Sequence, residues 1–482
     1  MHISSVSRVL FLLLIIVSLF MVFPILFALY YGETGTIRYF LIPMGGTAIV
    51  SLLILRLTRN APKILSIRDG FLLVTLSWVF SALVGCLPFY LSGAIPGIAD
   101  AYFETMSGFT TTGASILTDI ESLPLSMLFW RSLTHWLGGM GIVVLAVAVL
   151  PFLGIGAYQM VKAEAPGPTL DKITPKMSHT AKILWLTYIF MTAAETILLM
   201  FGGMTLFDAL THTFGTVATG GFSPKALSVG HYNSAFIDVV ITTFMVMAGM
   251  NFILYYRLMT GKIQAILRNV EFKTYIAIFA VATLAIAVVL SKSTYATFGT
   301  SLRFAGFQAA SILTTTGYVT ADYSIWPHMT RTILFILMFI GGCSGSTGGG
   351  IKVIRIITLA KLAINEMKYM AHPRGVFNIK VGGETLKKGI VYTIAAFFFL
   401  YIFMLLVTTA VVASAGNTIL TSFSSALVTL GNIGPGFGLV GPTGNYAFYP
   451  GYVKWFLSFA MMVGRLELYT VLILLTPGFW RR

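Results

Sequence analysis

Long apolar segments are the feature that most constrains how this chain can fold. A helix needs about 20 mainly apolar residues to cross the hydrocarbon core of a bilayer. Only 10% of the 482 residues are charged, whereas soluble domains carry about a quarter. We therefore predict an all-α polytopic membrane protein with ten transmembrane helices, at roughly 9–31, 40–57, 70–92, 130–152, 183–205, 234–256, 274–291, 331–363, 389–413 and 452–475.

The basic residues lie mainly on one side of these predicted spans. Of the 31 Lys and Arg residues behind the net charge of +15, 23 fall in segments that share a side with both termini. This asymmetry is the positive-inside pattern, so we predict that both termini are cytoplasmic. It also explains the basic composition without nucleic acid binding. The first span is too long for a signal-peptide core and lacks a small-residue cleavage site, so we predict that it is retained.

Four shorter apolar segments of about a dozen residues lie between predicted spans, too short to cross a bilayer. Each leads into a Gly-containing turn: "TTTGA" (110–114), "VATGG" (217–221), "TTTGY" (314–318) and "GNIGPG" (431–436). We interpret the short segments as re-entrant helices. The pattern predicts four pseudo-repeats of span, short helix, filter loop and span around one pore. Their predicted bounds are 70–182, 183–273, 274–388 and 389–482, after two extra N-terminal spans in 1–69.

The four turns indicate a cation filter. Non-helical backbone at membrane depth is tolerated only where it is buried in protein or lines an aqueous cavity. Four turns around one axis can direct carbonyls inward and replace the water shell of a cation. Gly gives the backbone its freedom, and Thr adds a stiff side chain with a hydroxyl. The predicted filter residues are Thr111, Thr112, Gly113, Ala218, Thr219, Gly220, Thr315, Thr316, Gly317, Asn432, Ile433 and Gly434.

A fifth glycine-rich stretch, "GCSGSTGGGIK" (342–352), interrupts the predicted span 331–363. It is not a nucleotide-binding loop, because Ile351 rather than Lys follows Gly350. Two readings stay open, a flexible kink and a loop that crosses the permeation path, and we favour the loop. Each Gly destabilises a helix by about 1 kcal/mol relative to Ala, so we expect this stretch to be mobile.

Arg465 lies within the last predicted span, where a charged side chain costs at least about 2.5–3.5 kcal/mol. We predict that it faces the pore. The alternative is a buried structural pair with a carboxylate. Glu467 is a poor intrahelical partner, because residues two positions apart point to different helix faces.

Taken together, these motifs resemble the Trk/Ktr/HKT superfamily of potassium transporters over almost the whole chain. The resemblance rests on "YFETMSGFTTTGAS", "HWLGGMGIVVLAVAVLP", "AEAPGP", "ATGGFS", "GGCSGSTGGGIKVIR", "NIGPG" and "GRLELYT". It implies a K⁺-translocating subunit of the bacterial inner membrane with no bound cofactor besides the transported K⁺. It also implies a homodimer with one pore in each protomer, and a cytoplasmic ring of nucleotide-binding regulatory subunits of the TrkA type.

The resemblance assigns roles to residues as well. It implies one filter glycine in each repeat, at Gly113, Gly220, Gly317 and Gly434. It implies an intramembrane gate formed by Gly345, Ser346, Thr347, Gly348, Gly349 and Arg465. No repeat contains the "TVGYG" of tetrameric potassium channels, so we expect weaker discrimination against Na⁺.

Other function classes fit the sequence less well. The intramembrane residues Glu104, His135, Asp208 and His212 form no hydrolase or metalloprotease motif, so we predict structural or electrostatic roles and no enzyme activity. An H⁺- or Na⁺-coupled secondary carrier is the main alternative, since carriers also break helices at midmembrane. A membrane receptor or scaffold would need no filter turns.

Overall fold

The protein is a bundle of helices, seen in a computed structural model that describes residues 1–62, 65–141 and 177–481. Two two-residue strands, Lys380–Val381 and Glu384–Thr385, pair antiparallel. The described α-helices are Ile3–Leu19, Val22–Tyr30, Ile37–Leu57, Ile67–Leu91, Ile98–Phe109, Leu125–Gly139, Met177–Phe201, Leu206–Val217, Ala235–Ala248, Phe252–Met259, Ile263–Leu267, Val270–Ser293, Phe298–Leu313, His328–Leu337, Val353–Ala371, Lys388–Ala413, Ile419–Leu430, Gly451–Arg465, Tyr469–Leu472 and Pro477–Trp480.

Several helices have the length and composition of membrane spans, which confirms the predicted all-α membrane fold. Within the described residues, six helices are long and apolar enough to cross a bilayer, and two bent helix pairs bring the number to as many as eight. The predicted span 130–152 begins in helix Leu125–Gly139 and then enters residues outside the described part. The count of ten therefore stays a prediction.

Three predicted spans contain a sharp bend or a long loop between two helices. In 234–256 the helix axis turns by 95° after Ala248, and the Asn251 side chain starts the next helix by accepting from the Ile253 amide at 2.9 Å. In 452–475 the axis turns by 114°, where Glu467 and Leu468 adopt positive φ. In 331–363 the residues 338–352 separate two helices. The sequence indicated the interruption of 331–363 through its glycine-rich stretch, but it did not indicate the bends in the other two spans.

The four predicted short helices are present, and their residues 101–109, 207–217, 305–313 and 421–430 are almost entirely buried. Their bounds are Ile98–Phe109, Leu206–Val217, Phe298–Leu313 and Ile419–Leu430. Threonine side chains cap the last three at Thr205, Thr297 and Thr418, the residue type expected at a helix N-terminus. The pseudo-repeat boundaries predicted from the sequence stay a prediction.

The short helices lie at the centre of the bundle, enclosed by longer ones. Phe298–Leu313 packs against Val270–Ser293, and Ile419–Leu430 packs against Lys388–Ala413. The first short helix contacts both Ile67–Leu91 and, from the far end of the chain, Gly451–Arg465. This last contact closes the arrangement and places the ends of all four short helices around one centre.

Candidate cation filter and glycine loop

Each short helix ends in a turn with the same backbone conformation. The second residue of each turn has a positive φ of 52–60° although it is Thr or Asn rather than Gly, namely Thr111, Thr219, Thr315 and Asn432. Positive φ is uncommon for such residues. Two residues later a glycine again has positive φ, at Gly113, Gly221, Gly317 and Gly434. We name these segments turns 1 to 4: residues 110–114, 218–222, 314–318 and 431–435.

One backbone hydrogen bond recurs in all four turns and fixes their alignment. The amide of the third residue donates to the carbonyl five residues earlier at 2.7–2.9 Å, and the donors are Thr112, Gly220, Thr316 and Ile433. Gly220 is therefore equivalent to Thr112, and Gly221 is the counterpart of Gly113. The alignment therefore places Thr219–Gly221 opposite the predicted residues of the other three turns, one residue later than the predicted Ala218–Gly220. Two consecutive glycines cannot be told apart in sequence, whereas the hydrogen bond from Gly220 to Gly215 distinguishes them.

The turns close a ring, because the glycine of each turn faces a carbonyl of the next. A Cβ added to Gly113 would lie 2.3 Å from the Gly220 carbonyl oxygen. The same holds for Gly221 against Thr316, Gly317 against Ile433 and Gly434 against Thr112, at 2.0, 2.2 and 2.6 Å. Such separations leave no room for any side chain. The four facing carbonyls belong to the residues aligned by the recurring hydrogen bond.

Side-chain oxygens surround the ring. The hydroxyls of Thr110 and Thr112 lie 2.8 Å apart, and the Asn432 amide donates to the Thr112 hydroxyl at 3.0 Å, which joins turn 4 to turn 1. Among the described residues, the buried Thr111 Oγ1 and Asn432 Oδ1 have no hydrogen-bond partner. Both are oxygen atoms of the kind that coordinate alkali cations in proteins.

Further hydrogen bonds at the ends of the turns and beyond them hold neighbouring predicted repeats together. The Tyr318 hydroxyl donates to Phe222 O at 3.2 Å, the Tyr323 hydroxyl donates to Gly436 O at 3.0 Å, and the Tyr446 amide donates to Ser115 O at 2.8 Å. Arg131 provides the link between the first two repeats, by donating to Ser223 O at 3.0 Å. Sequence reasoning missed these four residues. Their sequence signal is weak, because each partner lies far away along the chain.

The glycine loop, residues 341–351, packs directly against the short-helix ends. The Thr347 hydroxyl lies 3.1 Å from Val217 O and 3.2 Å from Ala248 O. The Gly349 amide donates to the Thr315 hydroxyl at 2.6 Å. A Cβ on Gly349 would lie 2.4 Å from Gly431 O. The loop therefore contacts three of the four short helices or their turns.

Both ends of the loop are tied to the surrounding helices. The Cys343 amide donates to Gly249 O at 2.8 Å, and the Ser344 amide donates to Glu271 Oε1 at 2.7 Å. Glu271 Oε1 also accepts from the Ile354 amide at 3.2 Å. The Lys352 ammonium bonds to Gly348 O inside the loop. These contacts define one position of the loop beneath the turns.

Arg465 joins the glycine loop to the first repeat. Its guanidinium donates to Thr347 O at 2.6 Å, to Gly138 O at 2.8 Å and to Gly139 O at 2.9 Å. The sequence predicted that Arg465 lies near the middle of a continuous span. In the structure it is the last residue of helix Gly451–Arg465. Glu467 forms an ion pair with Arg355.

The residues considered for catalysis have structural partners. Glu104 pairs with Arg131, His135 Nδ1 lies 2.7 Å from Gly108 O, and His212 Nδ1 lies 2.7 Å from Asp208 O. In the part of the chain that the structure describes, no group of three or more His, Cys, Asp or Glu side chains could hold a metal ion.

The fold and the ring of turns define a class of polytopic membrane proteins in which four re-entrant helices meet at one centre. The chain belongs to the TrkH family of cation transport proteins, which matches residues 45–480. It is 40% identical to the Trk system potassium uptake protein TrkH of Salmonella typhimurium and 39% identical to that of Escherichia coli strain K12, with 100% of each chain covered. The crystal structure of the potassium transporter TrkH from Vibrio parahaemolyticus matches with a TM-score of 0.88, 36% identity and full coverage of both chains.

Proposed function

We propose that this protein takes up potassium across the bacterial inner membrane through the ring of turns. The observation that carries the proposal is the closed ring, in which a glycine of each of four aligned turns faces a backbone carbonyl of the next turn. Carbonyl oxygens in such a ring replace the water shell of a K⁺ ion. The names of the relatives agree, because those proteins are potassium uptake proteins and a potassium transporter.

The filter residues follow from the alignment of the turns. We assign K⁺ coordination to the carbonyls of Thr111–Gly113, Thr219–Gly221, Thr315–Gly317 and Asn432–Gly434. The short helices end at these turns, and the C-terminal end of a helix carries a partial negative charge that favours a cation. The unpartnered Thr111 and Asn432 oxygens add further oxygen ligands beside the turns.

We assign the gate to the glycine loop and Arg465. Residues Gly345–Gly349 contact the short-helix ends, and Arg465 holds Thr347 in place by a charge-assisted hydrogen bond. A fixed positive charge beneath a cation filter repels K⁺. Withdrawal of Arg465 or the loop would open the path.

The remaining assignments concern assembly. We propose a homodimer with cytoplasmic termini, controlled by a ring of nucleotide-binding subunits of the TrkA type. The basic stretch 352–388 would receive that partner, because it continues directly from the glycine loop and carries eight Lys and Arg residues.

The test is flux of ⁸⁶Rb⁺ and ²²Na⁺ into liposomes that contain the purified protein, with and without imposed H⁺ and Na⁺ gradients. We expect Rb⁺ uptake that exceeds Na⁺ uptake and follows the Rb⁺ gradient alone. Uptake that requires an H⁺ or Na⁺ gradient would instead identify a coupled carrier. Absence of flux in a folded sample would contradict both.

A further inference from the structure

A buried ion pair lies behind the first two turns. Glu104 belongs to the first short helix and Arg131 to helix Leu125–Gly139. Arg131 Nε and Glu104 Oε1 lie 2.7 Å apart, and the side chains are 3% and 0% exposed. Replacing such a pair by packed apolar side chains is often neutral or stabilising. Stability alone therefore does not explain two charges at this depth.

The contacts of the pair reach both turns. Glu104 accepts from the Ser115 hydroxyl at 2.9 Å and from the Ile116 amide at 2.8 Å, which fixes the chain leaving turn 1. Arg131 uses a second nitrogen to donate to Ser223 O, just after turn 2, at 3.0 Å. Its guanidinium also stacks 3.6 Å above the ring centre of Phe222. The planar fork of Arg can make these contacts at once, whereas the single ammonium of Lys cannot.

None of the other three turns has a carboxylate at the position that corresponds to Glu104. Six residues before the first residue of each turn, the place of Glu104 is taken by His212, Gln308 and Ser425. His212 bonds to Ser223 Oγ at 3.0 Å and Ser425 to the Tyr449 hydroxyl at 2.7 Å. Gly138 packs against Phe109 O and Gly464 packs against Leu430 O in the same way, so the two glycines are equivalent. Arg131 lies seven residues before Gly138, and the residue seven before Gly464 is the buried, apolar Leu457.

We propose that Arg131, held by Glu104, is a positioning residue for cation selectivity, because it locks turn 1 against turn 2. The proposal rests on the proposed function of the ring as a K⁺ filter. The carbonyl of Gly220 belongs to turn 2 and faces Gly113 of turn 1. The separation of these two turns sets the width of the ring on that side. The bridge from Glu104 through Arg131 to Ser223 fixes this separation from behind.

The test uses Arg131→Lys, which keeps the charge beside Glu104 but loses the second arm to Ser223. We expect the ratio of ⁸⁶Rb⁺ to ²²Na⁺ flux in liposomes to fall roughly tenfold, equivalent to about 1.4 kcal/mol. Arg303→Lys is the matched control, because Arg303 pairs with Asp238 at 2.6 Å in a partly buried pair that makes no hydrogen bond to a turn in the described residues. Its flux ratio should stay within about twofold of the wild type, well under 1.4 kcal/mol.

A second variant covers the case in which Arg131→Lys does not fold. The double change Glu104→Gln with Arg131→Met removes both charges at similar volume, and we expect the same fall in the flux ratio. Folded Arg131→Lys or double-variant protein with the wild-type ratio would overturn the bridge, even if its melting temperature fell. A wild-type protein without any preference for Rb⁺ would overturn the proposed function and the bridge with it.

Discussion

At the scale of single residues, the glycines of the four turns close the ring at the centre of the protein. Gly113 combines a φ of 80° with a carbonyl 2.3 Å from the place of a Cβ. We expect Gly113→Ser, and equally Gly221→Ser, to widen the ring and lower the Rb⁺ to Na⁺ flux ratio. Gly93→Ser is the control, because Gly93 has a φ of 75° and open space around it. It should cost stability through strain of about 1 kcal/mol and leave the ratio unchanged.

Arg465 gives the second prediction at this scale. Its three backbone bonds join the glycine loop to Gly138 and Gly139, so Arg465→Ala should release the loop and raise resting Rb⁺ flux several-fold. Arg465→Lys should fall between Ala and wild type, since ammonium keeps the charge but not the fork. Arg331→Ala, which removes an arginine bonded to Ser324 and His328, should leave flux at the wild-type level. Unaltered flux in folded Arg465→Ala protein would contradict the gate assignment.

The residue scale also shows what the sequence could and could not predict. The glycines that follow short apolar segments gave the location of all four turns. Non-helical backbone is tolerated at membrane depth only where it is buried in protein or lines an aqueous cavity. The register of turn 2 depended on a hydrogen bond from Gly220, which leaves no trace in a Gly-Gly pair. The bridge from Arg131 to Ser223 spans 92 residues, and no local pattern reports a contact at that separation.

At the scale of elements, the glycine loop is held by hydrogen bonds to several neighbouring helices and turns, and these bonds are individually testable. Thr347→Val keeps the side-chain shape but removes the hydroxyl that bonds to Val217 O or Ala248 O. A buried hydrogen bond contributes about 1 kcal/mol, so the open fraction of the loop should rise roughly fivefold. Resting Rb⁺ flux in liposomes measures this rise. Thr330→Val removes a buried hydroxyl bonded to Pro327 O, away from the loop, and should not change resting flux.

Element boundaries were harder to predict than element types. The short helices carried clear start signals, Thr205, Thr297 and Thr418, and clear ends at their turns. The 95° and 114° bends fall inside mainly apolar segments, so hydropathy showed single spans. Asn251 at the first bend is a known type of N-cap, and in retrospect it is the local signal for that break. Glu467 and Leu468 at the second bend adopt positive φ without any glycine, and no local signal marks it.

At the scale of the whole molecule, the glycine loop connects the proposed filter to the face that is predicted to be cytoplasmic. Helix Val353–Ala371 begins directly after the loop and ends among exposed residues. Arg355 in this helix pairs with Glu467, two residues beyond Arg465. A partner that moves this helix would therefore act on both parts of the proposed gate, the loop and the segment that carries Arg465.

The last prediction concerns that partner. Lys368 and Arg374 are exposed near the end of helix Val353–Ala371, so Lys368→Glu with Arg374→Glu should reduce co-purification of a TrkA-type ring subunit. The affinity of any complex that still forms should no longer depend on salt concentration, because salt screens exposed charges beyond about 10 Å at 0.1 M. Lys292→Glu is the control, since Lys292 is exposed near the opposite end of a membrane-spanning helix, Val270–Ser293. Because the paired change leaves the ring of turns intact, the Rb⁺ to Na⁺ flux ratio should remain that of the wild type. Full co-purification of the doubly reversed variant would place the docking surface elsewhere.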